Sequence, residues 1–81
     1  MKIRVRLFAR YRELAGTGEI YLEIPMDTTV SNFKKNLVTY FPGLRDNMTG
    51  LAVAVNHEFA EGSKTLKQGD EVALFPPVSG G

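Results

Sequence analysis

One stretch of this chain, and only one of any length, repeats its apolar residues at helical spacing. Across residues 30–41, Val30, Phe33, Leu37, Val38 and Phe41 share one face, while Asn32, Lys34, Lys35 and Asn36 share the other. Thr29 stands where a helix N-cap belongs, and Pro42-Gly43 stops the run. Elsewhere the period is two. In residues 2–8, Ile3, Val5 and Leu7 point one way, and Lys2, Arg4, Arg6 and Phe8 the other. A lone amphipathic helix needs an apolar surface to cover, and alternating strands provide one. The chain is therefore constrained to one main helix packed on one face of a sheet.

The remaining segments fill in that plan. Residues 9–15 predict a short helical turn closed by Gly16-Thr17-Gly18. Residues 19–24 alternate again, with Ile20, Leu22 and Ile24 inward and Glu19, Tyr21 and Glu23 outward. Those acids face the outward bases of the first strand if the two pair as an antiparallel ribbon. Each exposed pair contributes only about 0.2–1 kcal/mol, so its use is to set register. Pro25-Met26-Asp27-Thr28 reads as a turn, and a polar loop runs through Asn47 and Gly50. Residues 51–55 form a strand, Asn56-His57-Glu58 a turn, and Phe59-Ala60 the start of a short strand. Leu66-Lys67-Gln68-Gly69-Asp70 is a second turn, before a last strand over residues 71–75 with Val72 and Leu74 inward. Connection rules let that last strand lie beside the first in the middle of the sheet. The expectation is an α+β, β-grasp (ubiquitin-like) roll, a mixed sheet of four to five strands on one main helix. Residues 1–75 make the domain, and residues 76–81 an extended, flexible tail.

Composition narrows the function. In 81 residues there is room for one small domain, which buries about 60–65% of its unfolded surface. Ten Lys and Arg against nine Asp and Glu give a net charge of +1, with no electrostatic footprint for nucleic acid or an anionic membrane. The absence of cysteine removes disulfides, thiolate nucleophiles and Cys-ligated zinc. No apolar run is long enough to span a bilayer, and Met1-Lys2-Ile3-Arg4 lacks the apolar core of a signal peptide, so a cytoplasmic location is expected. His57 is the one histidine and reads as a solvated turn residue; no metal site is expected. Gly16-Thr17-Gly18 lacks the third glycine of a dinucleotide loop, and no G-x-x-x-x-G-K-[ST] loop is present to hold phosphates. Asp70 and Glu71 point to opposite faces of a strand and so form a turn, not a catalytic dyad.

Two features remain. Phe8 and Phe75 put aromatic rings on the polar side of the sheet, and Phe59 is a third large apolar residue beside a turn. Such clusters mark partner-binding surfaces; a loop or the tail lying over them is the other reading. The sequence then finishes Phe75-Pro76-Pro77-Val78-Ser79-Gly80-Gly81. The prolines favour an extended segment, and two glycines enter a channel too narrow for a Cβ. A frayed terminus is the bland alternative. With no equipped side chain elsewhere, any covalent chemistry falls to the carboxyl group of Gly81.

Leu7-Phe8-Ala9 with Arg12-Glu13 and Gly16, then Val53-Ala54-Val55-Asn56, Gly69-Asp70-Glu71-Val72-Ala73 and the closing Phe75-Pro76-Pro77-Val78-Ser79-Gly80-Gly81 resemble the small, sulfur-carrying subunit of molybdopterin synthase. The resemblance runs the full length. It implies that Gly81 is activated as an acyl-adenylate by an ATP-using, ubiquitin-activating-like adenylyltransferase and converted to a thiocarboxylate, with Gly80 its slim neighbour. It further implies that the tail delivers sulfur to a pyranopterin precursor inside the large subunit of a heterotetrameric synthase. Phe8, Phe59, Phe75, Pro76, Pro77 and Val78 would contact that partner. This chain would bind no cofactor of its own, ATP being held by the activating enzyme, and catalytic side chains would sit on the large subunit. Related carriers for thiamine or tRNA thiolation, ubiquitin-like protein modifiers, and a non-covalent β-grasp interaction module are the competing readings.

Overall fold

The computed structural model describes residues 1–77. Two strands open it, β1 (Lys2–Leu7) and β2 (Glu19–Glu23), with a short helix α1 (Ala9–Ala15) between them. The main helix α2 (Val30–Tyr40) follows, then a 3₁₀ helix (Pro42–Asn47) and strands β3 (Ala52–Val55), β4 (Glu58–Phe59) and β5 (Glu71–Phe75). The five strands form one sheet in the order β2-β1-β5-β3-β4. β1 and β5 are parallel neighbours at its centre, and the other pairs are antiparallel. This is the mixed sheet of a β-grasp fold, with β5 beside β1 as the connection rules allowed.

Alternation decides the two faces. Ile3, Val5 and Leu7 of β1, Val53 and Val55 of β3, and Val72 and Leu74 of β5 are all buried. They meet Val30, Phe33 and Leu37 of α2 in one continuous core. Fully burying each such side chain contributes about 1.5–3 kcal/mol. Thr29 caps α2 as its position suggested, its Oγ1 accepting from the Asn32 N–H at 3.2 Å. The backbone of Val30 donates to Lys64 O and that of Leu66 to Thr28 O, each at 2.8 Å. The segment between β4 and β5 is thereby tied to the start of the helix.

Two local readings are corrected, and one buried residue is new. The stretch after Phe41 is not simply a polar loop: Pro42 starts a 3₁₀ helix, whose Leu44 is fully buried. Proline tolerates that first position because its missing N–H would be unpaired there anyway. Leu66, read as part of a turn, belongs to the core, and the turn proper runs from Lys67 to Asp70, closed by Asp70 N donating to Lys67 O at 3.1 Å. Tyr11, flanked by Arg10 and Arg12, is also fully buried and donates its hydroxyl to Asn47 O at 2.9 Å. Burial pushes the Tyr11 phenol upward from its ordinary pKa.

Candidate functional site

The sheet's outer face changes character along its strands. A single cross-strand row runs Glu19, Arg6, Ala73, Ala54, Phe59 through all five strands in spatial order. Charge occupies one side of that row and aromatic surface the other. The two alanines in the middle are small enough to leave a floor, and both are buried.

Above that floor lie the three phenylalanines singled out from the sequence. Phe8 follows β1 and Phe75 ends β5, so the parallel pairing brings them side by side. Their rings stack at 4.8 Å between centroids, 5° from parallel. Phe59 meets Phe75 at 6.0 Å and a 59° tilt. Aromatic pairs of such geometry contribute about 0.5–1.5 kcal/mol beyond area burial. Phe8 and Phe75 are half-buried, but Phe59 remains 78% exposed. The Arg6 guanidinium carbon sits 5.2 Å from the Phe8 ring centre. Together these groups line a shallow depression of about 200 Å³ that also reaches His57 and Glu71.

Toward the start of β5 the same face is ionic. Arg4 reaches Glu19 at 2.8 Å and Glu71 at 3.4 Å, and Arg6 reaches Glu71 at 3.7 Å. The hydrogen bond from Arg4 holds the Glu19 carboxyl below its ordinary range. The expected register between Lys2, Arg4, Arg6 and the β2 acids is present, although Glu19 lies opposite Arg6 and bonds diagonally to Arg4. His57 has its side chain 80% exposed, with Nε2 4.0 Å from Glu71 Oε1. Among the described residues no group of three or more His, Cys, Asp or Glu is placed to hold a metal.

The motif residues around Asn56 and Asp70 form a clasp. Asn56 and His57 both have positive φ, 50° and 73°, the signature of a tight two-residue hairpin turn between β3 and β4. From that turn the Asn56 side-chain amide donates to Asp70 Oδ1 at 3.0 Å, and its Oδ1 accepts from Glu71 N at 3.0 Å. Asp70 Oδ2 accepts from Lys67 N at 2.8 Å. Asp70 is thus consumed in holding the start of β5.

Pro76 is half-buried and Pro77 exposed where the chain leaves β5. Val78, Gly80 and Gly81 lie outside the described residues. The sequence did not mark what lies opposite the prolines. Arg10, Tyr11, Asn47 and Thr49 join Pro76 and Pro77 around a recess of about 160 Å³, with Gly50 directly against Pro77. A glycine before a strand signals a turn, but not its neighbour across the fold.

The ThiS family model matches residues 5–81. The molybdopterin synthase sulfur carrier subunit of Arabidopsis thaliana is 37% identical over 81 residues, covering 100% of this chain and 84% of that protein. Among solved structures, SAMP1 (small archaeal modifier protein 1) of Haloferax volcanii superposes with a TM-score of 0.84 at 34% identity over 100% of both chains. The putative molybdopterin converting factor subunit 1 of Pyrococcus furiosus has a TM-score of 0.84 at 30% identity, covering 96% of this chain and 99% of that one. With its β-grasp topology and this full-length likeness, the chain belongs to the ThiS family, alongside the molybdopterin synthase sulfur carrier subunits.

Proposed function

We propose that this chain is the sulfur carrier of a molybdopterin synthase, and that Gly81 is its reacting residue. A carboxylate is a poor electrophile. Transfer of AMP from ATP, with release of pyrophosphate, turns it into an acyl-adenylate with a good leaving group. Sulfur at the sulfide level, delivered as hydrosulfide by a donor, then attacks the carbonyl carbon of Gly81 and displaces AMP, leaving a thiocarboxylate. That sulfur passes to the pyranopterin precursor in the large subunit as the C–S bond to Gly81 breaks and water restores the terminal carboxylate. The chain has no phosphate loop, so the nucleotide belongs on a ubiquitin-activating-like adenylyltransferase. Gly80, having no side chain, suits a narrow channel of the large subunit, and Pro76, Pro77 and Val78 are contacts to that partner.

One observation carries the reading: the Phe8–Phe75 stack, extended by exposed Phe59, stands where β5 passes into Pro76-Pro77. An apolar patch at the root of a tail anchors the body while the tip reacts. The likeness to proteins named molybdopterin synthase sulfur carrier subunits supports the sulfur-carrier reading. Intact-mass measurement after co-expression with the activating enzyme should show sulfur replacing oxygen at the C-terminus. One residue appended after Gly81 should abolish that gain, and retained function in the extended protein would sink the proposal.

The likeness to small archaeal modifier protein 1 favours a second use of the same activated terminus. A lysine amine attacking the acyl-adenylate in place of sulfur would give a protein conjugate. Conjugates that disappear when Gly81 is removed would establish it.

A further inference from the structure

Pro77, the last described residue, lies against a turn far from it in sequence. Residues 48–51 form a turn closed by Leu51 N donating to Met48 O at 3.2 Å, with Gly50 at the third position and φ of 78°. A type II turn requires that angle there, which favours glycine. Pro77 rests on the same residue. A Cβ added to Gly50 would stand 2.8 Å from Pro77 Cβ and 3.1 Å from its Cγ. Those atoms belong to a ring fused to the backbone, so they cannot swing aside unless the chain itself moves. The turn in its own right is anchored. Neighbouring Asn47 accepts from the buried Tyr11 hydroxyl at 2.9 Å and from Arg10 Nη1 at 3.1 Å.

We propose that Gly50 is a positioning residue for the tail: its missing side chain seats Pro77 on the 48–51 turn and so directs the chain as it leaves β5. The geometric part stands on the structure alone, and the consequence for catalysis rests on the carrier reading above. A terminal carboxylate must meet an adenylating site in a narrow range of orientations, and a tail misdirected at its root arrives badly placed. Pro76 and Pro77 fix two φ angles at that root, so the starting direction is narrowly defined there.

A matched control lies in the same protein. Gly69 has φ of 84°, close to that of Gly50, yet nothing lies within 4 Å of a Cβ added there. Gly69→Ala therefore carries similar backbone strain without the collision. Wild type, Gly50→Ala and Gly69→Ala would be compared by NMR for cross-relaxation between the residue 50 Hα and the Pro77 ring protons. They would also be compared for kcat/KM of ATP-dependent adenylation by the activating enzyme.

The contact should be present in wild type and Gly69→Ala and absent in Gly50→Ala. Adenylation should fall about tenfold or more in Gly50→Ala alone. In a Pro77→Gly background the two alanine variants should become equivalent. Absence of the contact in wild type, or equal adenylation by the two variants with Pro77 present, overturns the inference. Should Gly50→Ala fail to fold, Pro77→Gly alone removes the seat, and an undiminished rate overturns the positioning role. A wild-type chain that is never adenylated refutes the carrier reading instead, while the NMR comparison still decides whether Gly50 seats Pro77.

Discussion

β5 begins and ends in opposite ways. At its start the polar groups are paired: Asp70 takes Asn56 and Lys67, Glu71 N reaches Asn56, and the Glu71 carboxylate meets two arginines. At its end Phe75 holds one stacked ring and one tilted ring on the outer face, and the larger part of Phe59 is open to solvent. The first end spends its chemistry on the fold. The second leaves apolar surface that the fold does not use, beside the segment leading to Gly81. A strand only five residues long is thus locked by polar pairs at one end and carries half-open aromatic surface at the other.

Substitutions along β5 test that contrast. Leu74→Ala, on the inner face, should cost the most, about 3 kcal/mol of stability by denaturant unfolding. Its neighbour Phe75→Ala should keep a cooperative fold and instead weaken binding to the large synthase subunit by about 2 kcal/mol, read by calorimetry. If Phe75→Ala unfolds the protein as Leu74→Ala does, the ring is core and the two ends do not differ in role. Asp70→Ala strands the Lys67 N–H and the Asn56 amide, and should lose about 1–2 kcal/mol of stability with partner affinity unchanged. A selective loss of affinity there would break the contrast from the other side.

The smallest effect is ionic. Arg4 holds the Glu19 carboxyl below its ordinary range, so Glu19 contributes stability above its unfolded pKa. That contribution fades as pH falls through the lower, folded value. Both partners are exposed enough for water and salt to screen them. Glu19→Gln should therefore flatten the acid side of the stability curve slightly at low salt and leave it unchanged at high salt. An equal effect at both ionic strengths would assign Glu19 a role other than pairing.

Much of the fold was legible because its signals are local. Period two in residues 2–7 and 19–23, helical spacing after Thr29 and the Pro42-Gly43 stop each act within a few residues. Phe8 and Phe75 were legible as violations of that period. Tyr11 was not: a helix of seven residues is too short to show a face, and charged neighbours disguised its burial. Asn56 and Asp70 were visible as motif letters, but fourteen residues separate them, and only the pairing of β3 with β5 makes them a clasp.

By itself the sequence determined the strand and helix periods, the inner core face, the lack of any metal-binding or nucleophilic cysteine, and the glycine pair that closes the chain. Tertiary structure decided the rest. It stacked Phe8 on Phe75, set both over an alanine floor and placed Gly50 beneath Pro77. Periodicity is written along the chain, where each residue's orientation follows from its neighbours. Which side chains meet depends on strands and turns far apart in sequence, and on distances that differ by less than the width of a methyl group.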